Sequence, residues 1–131
     1  MSKVKDIMTE QVFVVGPEAT IDEAISLLLD NRVSGLPVVD NERVLLGVIT
    51  EFDIIDLIYN ADIETSIVRD YMTKEVNSLD IGASLDDAAS IFCNDSIRRV
   101  PIVQEGRLVG VLSRHDLIGF VREVRRQVSA V

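Results

Sequence analysis

The feature that most constrains the fold of this 131-residue chain is an internal duplication. Sliding the sequence by 64 residues superposes Val4-Lys5-Asp6-Ile7-Met8-Thr9 on Val68-Arg69-Asp70-Tyr71-Met72-Thr73, so that an Asp-x-Met-Thr pattern opens each copy. One copy of about 60 residues buries too small a fraction of its surface to be more than marginally stable alone. We therefore expect two repeats, residues 1–64 and 65–131, that pack together with pseudo-twofold symmetry.

The two repeats predict the same order of secondary structure, β-α-β-β-α, which is an α+β fold class. Thr20 and Ser84 each precede acidic residues and predict the N-cap of the first helix in their repeat. An apolar stripe at helical spacing follows each cap and predicts the face that packs into the core. The stripes consist of Ile21, Ala24, Ile25, Leu28 and Leu29 in the first repeat and of Leu85, Ala88, Ala89, Phe92 and Cys93 in the second.

Each first helix is preceded by a short extended segment and followed by a β-hairpin, because two apolar runs flank a polar turn. The runs are residues 36–39 and 44–49 in the first repeat and residues 100–103 and 108–112 in the second. A second helix then covers residues 52–59 in one repeat and begins at His115 in the other. One face of this later helix is predicted to be apolar, with Leu117, Ile118, Val121 and Val124.

The net charge of −9 lies entirely in the first half of the chain. Residues 1–65 hold 4 basic and 13 acidic side chains, whereas residues 66–131 hold 9 of each sign. Net acidity argues against nucleic-acid binding, in which affinity comes from neutralising many phosphates. Eight of the nine cations in the second half are arginines, which suit recognition of one small phosphate or carboxylate group.

The composition is that of a globular protein, with 47% hydrophobic residues. No run approaches the roughly 20 apolar residues that span a bilayer, and the N-terminus does not resemble a signal peptide, so we expect no membrane partner. A single cysteine is consistent with a reducing compartment, and a cytoplasmic location is predicted. One cysteine and one histidine argue against a structural zinc site.

Each hairpin runs into a turn with a hydroxyl and an acid three residues apart. The turns are Gly47-Val48-Ile49-Thr50-Glu51-Phe52-Asp53 and Gly110-Val111-Leu112-Ser113-Arg114-His115-Asp116. Taken alone, each turn is typical of a capping box. The hydroxyl accepts a hydrogen bond from the backbone N–H three residues on, and the acid at that position accepts one from the N–H of the hydroxyl residue. Capping does not explain why the strand, the hairpin and the Asp-x-Met-Thr entry are repeated around the turn.

The repeated order is Asp-x-Met-Thr, helix, hydrophobic-Pro-hydrophobic-hydrophobic strand, hairpin, Gly-hydrophobic-x-Ser/Thr-x-x-Asp and helix. In this order the sequence resembles a tandem pair of CBS domains (the cystathionine-beta-synthase domain), often called a Bateman module, over essentially the whole chain. The resemblance implies a regulatory module that binds AMP, ADP or ATP, or in some members S-adenosylmethionine, in clefts between the repeats. It also implies no catalysis, no catalytic cofactor, a homodimer formed through the helices, and a possible effector protein or enzyme.

The resemblance further implies which residues bind the ligand. Asp116 with Ser113 would bind the ribose in one cleft, and Asp53 with Thr50 would do so in the other. A carboxylate there can accept both ribose hydroxyls, and the glycine ahead of it would let the backbone approach the ligand. The base pockets would be lined by Val111, Thr20, Val33 and Ser34 beside Asp116, and by Val48, Ser84, Ile97 and Arg98 beside Asp53. The phosphate contacts would be Arg98, Arg99, Arg114 and His115.

The two copies differ next to the acid of the turn. The first copy has Glu51 and Phe52 where the second has Arg114 and His115. We therefore expect inequivalent clefts, the arginine-rich one preferring the more highly phosphorylated nucleotide. Two alternatives stay open: a structural or protein-interaction module with vestigial clefts, and an enzyme. The enzyme is disfavoured because no nucleophile, partnered histidine or metal set accompanies the acids.

Overall fold

A computed structural model describes residues 2–59, 62–94 and 97–129 of the chain. Its contacts divide the chain into two compact units, each built mainly from one sequence repeat. The first-repeat unit holds the described residues within Phe13–Val76 and Gly106–Leu108. The second-repeat unit holds those within Met1–Val12, Asn77–Glu105 and Val109–Val131. Helices and strands alternate through both units, which confirms the α+β fold class.

The first-repeat unit is a two-stranded hairpin covered by helices. Its elements are α1 (Ile21–Asn31), β1 (Gly35–Val39), β2 (Leu45–Thr50), α2 (Glu51–Leu57) and the single-turn α3 (Val68–Tyr71). Strands β1 and β2 are antiparallel, with Pro37 opposite Val48. Val15 pairs in parallel with Val38, which confirms the short extended segment expected before α1.

Local signals in the sequence determine where α1 begins and ends. The Thr20 hydroxyl accepts a hydrogen bond from the Glu23 N–H (3.1 Å), which confirms the predicted N-cap. At the other end, Arg32 adopts the left-handed conformation, with φ of 53°. The next N–H, that of Val33, then reaches the Leu28 carbonyl (3.1 Å) and closes the helix.

The second-repeat unit has corresponding elements, but its entry segment comes first in the chain and a named strand precedes its first long helix. Its elements are a 3-10 turn (Val4–Asp6), β3 (Leu79–Asp80), α4 (Leu85–Asn94), β4 (Arg99–Gln104), most of β5 (Arg107–Ser113) and α5 (Arg114–Ser129). The three strands form one sheet in the order β3-β4-β5. Between β4 and β5, Glu105 and Gly106 both have positive φ, 52° and 81°. This is the two-residue hairpin turn that a glycine at its second position favours.

The apolar stripe of each first helix is narrower than the sequence predicts. In α1, Ile21, Ala24 and Leu28 are buried, but Leu29 is 72% exposed. In α4, Cys93 is also exposed, although its place in the stripe predicted a core position. The prediction is wrong at both positions, which are equivalent in the two repeats and lie on an edge of the stripe that stays exposed.

The two Asp-x-Met-Thr segments belong to cores that the sequence repeats do not predict. Val4 is fully buried in a cluster with Phe92, Val100 and Leu112, which are second-repeat residues. Val68 is fully buried in a cluster with Ile21 and other first-repeat residues. Each compact unit therefore combines the body of one repeat with the entry segment of the other. Among the described residues, no helix is both long enough and apolar enough to cross a membrane.

Candidate functional site

The turn of the first repeat is closed by its own side chains. Strand β2 ends at Thr50 and α2 begins at the next residue. The Thr50 N–H donates to Asp53 Oδ2 (2.9 Å), and the Asp53 N–H donates to Thr50 Oγ1 (3.4 Å). The Thr50 hydroxyl also donates to Asp53 Oδ2 (3.0 Å). This is the capping box that the sequence predicts.

A residue from the entry segment completes this turn. The Thr73 hydroxyl donates to the second oxygen of the Asp53 carboxylate, Oδ1 (3.2 Å). The backbones of Thr73 and Val48 exchange two hydrogen bonds (2.8 and 2.9 Å), which hold the segment beside the turn. Both carboxylate oxygens of Asp53 are therefore engaged within the first-repeat unit.

The turn of the second repeat has the same capping box with fewer bonds to its acid. The Ser113 N–H donates to Asp116 Oδ2 (2.8 Å), and the Asp116 N–H donates to Ser113 Oγ (3.0 Å). Thr9 pairs with Val111 through two backbone bonds of 2.9 Å, as Thr73 does with Val48. No side chain within the described ranges donates to Asp116 Oδ1. This carboxylate therefore keeps an oxygen that can accept from a ligand.

The glycine ahead of each turn makes room for an entry segment. A Cβ on Gly47 would lie 2.6 Å from the Thr73 carbonyl oxygen, closer than real Cβ atoms come. A Cβ on Gly110 would lie 2.7 Å from Met8 Sδ and 2.9 Å from the Thr9 oxygen. The prediction that these glycines serve the approach of a ligand is therefore corrected. They allow the Met-Thr pair of each entry segment to lie against the strand.

Arg114 has a structural partner that the sequence does not predict. Its Nε donates to the Ile97 carbonyl (2.7 Å) and its Nη2 to the Phe92 carbonyl (3.3 Å). Phe92 lies in the last turn of α4, whose terminal carbonyls lack partners within the helix. The guanidinium thus ties the start of α5 to the end of α4, which differs from the predicted phosphate contact.

The other predicted phosphate contacts are open to solvent. Arg98, Arg99 and His115 are all exposed. No hydrogen bond or ion pair to the guanidinium groups of Arg98 and Arg99 occurs in the part of the chain that the structure describes. The Arg114 N–H donates to the Arg98 carbonyl (3.0 Å), which places Arg98 next to the second turn. The Arg98 backbone therefore lies beside the Asp116 turn, and Arg99 is the next residue in the chain.

The residues predicted for the base pockets have structural roles of their own. The Thr20 hydroxyl caps α1, and the Ser84 hydroxyl accepts from the Asp87 N–H (3.2 Å) at the start of α4. The Ser34 carbonyl accepts from the Glu51 N–H (3.0 Å), beside the first turn. The remaining pocket residues are half-buried or, for Val111, buried: Val33, Val48, Ile97 and Val111. Their grouping into the two predicted base pockets stays a prediction.

The sequence pattern alone predicts no role for the threonine of Asp-x-Met-Thr. Thr73 binds the acid of the first turn, and Met8 and Met72 lie against the two glycines. The signal was present, because the motif occurs in both repeats together with the glycine it packs on. What the sequence did not show is that the entry motif and the turn are neighbours in space.

Comparisons with known proteins identify relatives over most of the chain. A model of the CBS domain family matches residues 4–60 and again residues 68–123. The chain is 38% identical over 115 residues to the uncharacterized protein MJ1225 of Methanocaldococcus jannaschii. That match covers 88% of this chain and 41% of the relative, so the chain spans less than half of the relative's length.

Two crystal structures are similar to nearly the full length of the chain. One is CBSX2 of Arabidopsis thaliana in complex with AMP, with a TM-score of 0.85 and 30% identity, covering 95% of this chain and 99% of that one. The other is the CBS domain pair of protein MJ0100 in complex with 5′-methylthioadenosine and S-adenosyl-L-methionine. Its TM-score is 0.78 at 25% identity, and the match covers 94% of this chain and 98% of that one.

Proposed function

This chain belongs to the CBS domain family as a tandem pair, and we propose from that premise that it is a regulatory module that binds an adenosine nucleotide without catalysis. The observation that carries the proposal is the Asp116 carboxylate. It stands on the first turn of the 16-residue helix α5, with Oδ1 accepting no bond from the described residues. A protein similar over 95% of this chain was crystallised with AMP.

The proposed contacts follow from hydrogen-bond chemistry. A ribose offers two neighbouring hydroxyl donors, and an ionised carboxylate is the strongest acceptor for such a pair. Asp116 would accept from the ribose, with the Ser113 hydroxyl beside it. The exposed cations of Arg98 and Arg99, with His115, would bind phosphate. Arg114 is not included, because its guanidinium donates to backbone carbonyls.

The two turns are proposed to differ in ligand preference. The first turn offers Glu51 next to Asp53, whereas the second has Arg98 and Arg99 close by. A carboxylate near the phosphates repels them, and arginines attract them. We therefore expect the Asp116 turn to prefer ATP over AMP, and the Asp53 turn to be the weaker site. S-adenosylmethionine remains a candidate ligand, because a relative was crystallised with it.

Isothermal titration of the wild type, Asp116→Ala and Asp53→Ala with AMP and ATP tests the proposal. Loss of charged hydrogen bonds, about 1.5–3 kcal/mol each, should weaken nucleotide binding at least about 10-fold in Asp116→Ala and less in Asp53→Ala. Asp87→Ala is the matched control, because Asp87 closes the capping box of α4 but is not a proposed ribose ligand. Equal losses in both test variants would contradict the inequivalence of the two turns.

One observation favours the alternative of a structural or protein-interaction module. Both turns are closed capping boxes, which need no ligand to explain their sequence. Thermal unfolding separates the two functions, because a ligand at 100 times its Kd stabilises a protein by about 2.7 kcal/mol. A melting temperature that no adenine nucleotide and no S-adenosylmethionine raises would support the alternative.

We also propose that the chain forms a homodimer through its helices. Apolar side chains remain exposed on the second helix of each repeat, although burial of such surface is the main driving force for association. On α2 and just after it they are Phe52, Ile55, Ile58 and Tyr59, and on α5 they are Ile118, Val121, Val124 and Val128. A second copy of the chain would cover these faces.

A further inference from the structure

We propose that the Thr73 hydroxyl limits the ribose contact at Asp53 by occupying an oxygen that a ribose would otherwise use. This inference rests on the proposed function, since it concerns how many ribose hydroxyls each of the two carboxylates can bind. The effect depends on hydrogen-bond acceptors of the carboxylate and not on charges near the phosphate. It assigns Thr73 as a specificity-determining residue of the first-repeat turn.

The acceptor capacity of Asp53 is mostly used within the protein. An ionised carboxylate has about four lone-pair positions, two on each oxygen. Oδ2 accepts from the Thr50 N–H and from the Thr50 hydroxyl, at 2.9 and 3.0 Å. Oδ1 accepts from the Thr73 hydroxyl at 3.2 Å. One position is left, which is enough for a single hydroxyl of a ribose.

Asp116 is equivalent to Asp53 in the repeat but has more capacity. Its Oδ2 accepts from the Ser113 N–H at 2.8 Å, and the described residues offer no further donor to either oxygen. Three of its about four acceptor positions remain, so both hydroxyls of a ribose can be bound at once. The two carboxylates therefore differ although their turns have the same backbone.

The difference comes from one side chain and not from the backbone around it. Thr9 occupies in the second-repeat unit the position that Thr73 occupies in the first, with the same pair of backbone bonds to the strand. Both threonines are exposed. Only the hydroxyl of Thr73 donates to the acid of its turn, within the part of the chain that the structure describes. Thr9 is therefore a matched control for Thr73.

Two consequences follow for ligand selection. Binding both ribose hydroxyls at Asp53 requires that the Thr73 hydroxyl leave Oδ1, which weakens the affinity for a ribonucleotide. The Asp53 turn should then discriminate little between AMP and 2′-deoxy-AMP, because it uses only one of the two hydroxyls. The Asp116 turn should discriminate strongly, because it uses both.

Titration of Thr73→Val with AMP and 2′-deoxy-AMP tests the inference. The variant is made together with Asp116→Asn, which leaves the first turn as the nucleotide site and keeps an amide oxygen for the cap. Removing a competing hydrogen bond should increase the AMP affinity about 3–10-fold and leave the 2′-deoxy-AMP affinity nearly unchanged. The ratio of the two affinities should therefore rise by the same factor. The control compares Asp53→Asn with and without Thr9→Val, and Thr9→Val should leave both affinities of the second turn at their Asp53→Asn values.

Other results of this titration would overturn either the role of Thr73 or the proposed function as a whole. A weaker AMP affinity in Thr73→Val overturns the inference, because Thr73 then positions Asp53 for the ribose. An unchanged ratio also overturns it, and so does AMP binding that stays undetectable at the first turn after the substitution. If the wild type binds no adenine nucleotide, the proposed function fails as a whole. AMP binding that Thr73→Val does not alter leaves the proposed function standing and removes only this inference.

Discussion

Gly47 controls how closely the entry segment approaches the first turn. The Thr73 carbonyl oxygen lies 2.6 Å from the position that a Cβ of residue 47 would take, and the backbone bonds between Thr73 and Val48 depend on this approach. The Thr73 hydroxyl reaches Asp53 from the same position. The lack of a side chain at residue 47 therefore allows both the packing of the entry segment and the contact between Thr73 and Asp53, the proposed ribose ligand.

Substitution of Gly47 by alanine should destabilise the protein by about 1–3 kcal/mol, the usual cost of forcing extra volume into a packed site. Gly110→Ala should cost less, because its added Cβ lies 2.9 Å from the Thr9 backbone oxygen, against 2.6 Å from the Thr73 oxygen at Gly47, and its nearest neighbour is the flexible thioether of Met8. The free energy of unfolding is measured by urea titration.

Gly119→Ala is the matched control for these substitutions. Gly119 lies in α5, and apart from its chain neighbours and the backbone of its own helix, no atom of the described residues lies within 4 Å of an added Cβ. Alanine there should stabilise the protein by roughly 0.5–1 kcal/mol, because glycine is a poor helix former. A Gly47→Ala protein as stable as the wild type would contradict the packing role of the glycine.

At the scale of elements, the sequence predicts helix ends and hairpins correctly where they depend on residues close together in the chain. The N-caps at Thr20 and Ser84 and the capping boxes of both turns depend on residues three apart, so their pattern predicts them directly. The hairpins follow from apolar runs around a turn, and their strands agree with the prediction within a few residues. The second helices begin within two residues of the predicted positions.

The errors arose where a side chain depends on distant residues. Leu29 and Cys93 have the spacing of a core stripe, but only the tertiary contacts show which edge of the stripe is covered. The phosphate contact of Arg114 stays a prediction, but its hydrogen bonds to carbonyls 17 and 22 residues away in sequence follow no local pattern. The contact between Thr73 and Asp53 spans 20 residues and follows no periodicity.

The exposed apolar face of α5 predicts a specific effect on assembly. Ile118 is 64% exposed, and Val121 follows it one turn later on the same face. Ile118→Asp should place a charge in the proposed dimer interface and weaken dimerisation at least about 30-fold, the loss typical of a central interface residue. Light scattering across a dilution series measures the dissociation constant.

Asn77→Asp is the control, since it adds the same charge at an exposed position outside the helices. It should leave the dissociation constant unchanged. A wild-type chain that stays monomeric at high concentration would contradict the proposed homodimer, and so would an Ile118→Asp variant that dimerises as tightly as the wild type.

At the scale of the whole molecule, the compact units are offset from the sequence repeats. Residues 68–73 pack on the body of the first repeat, with Val68 bonded to the Ala19 carbonyl and Arg69 to the Pro17 carbonyl (both 2.9 Å). The start of the chain packs on the second-repeat body, where the Val4 N–H donates to the Ala83 carbonyl (3.0 Å). Cutting the chain at the repeat boundary therefore separates each body from its entry segment.

This offset predicts that two fragments of equal length fold differently. The fragment of residues 13–76 keeps Val68 in its core and keeps the bonds between Thr73 and Val48. The fragment of residues 1–64 lacks both and retains Val4 without the cluster that buries it. Burial of one valine contributes about 1.5–3 kcal/mol, which is a large share of the stability of a domain of about 60 residues.

We expect residues 13–76 to unfold cooperatively on heating and residues 1–64 to show no cooperative transition, as measured by circular dichroism. The variant Val68→Ala within residues 13–76 serves as the control for the core contact and should lower the midpoint of that transition. Cooperative unfolding of residues 1–64 at the same temperature as residues 13–76 would show that the entry segment contributes little. The repeat, and not the offset unit, would then be the unit of stability.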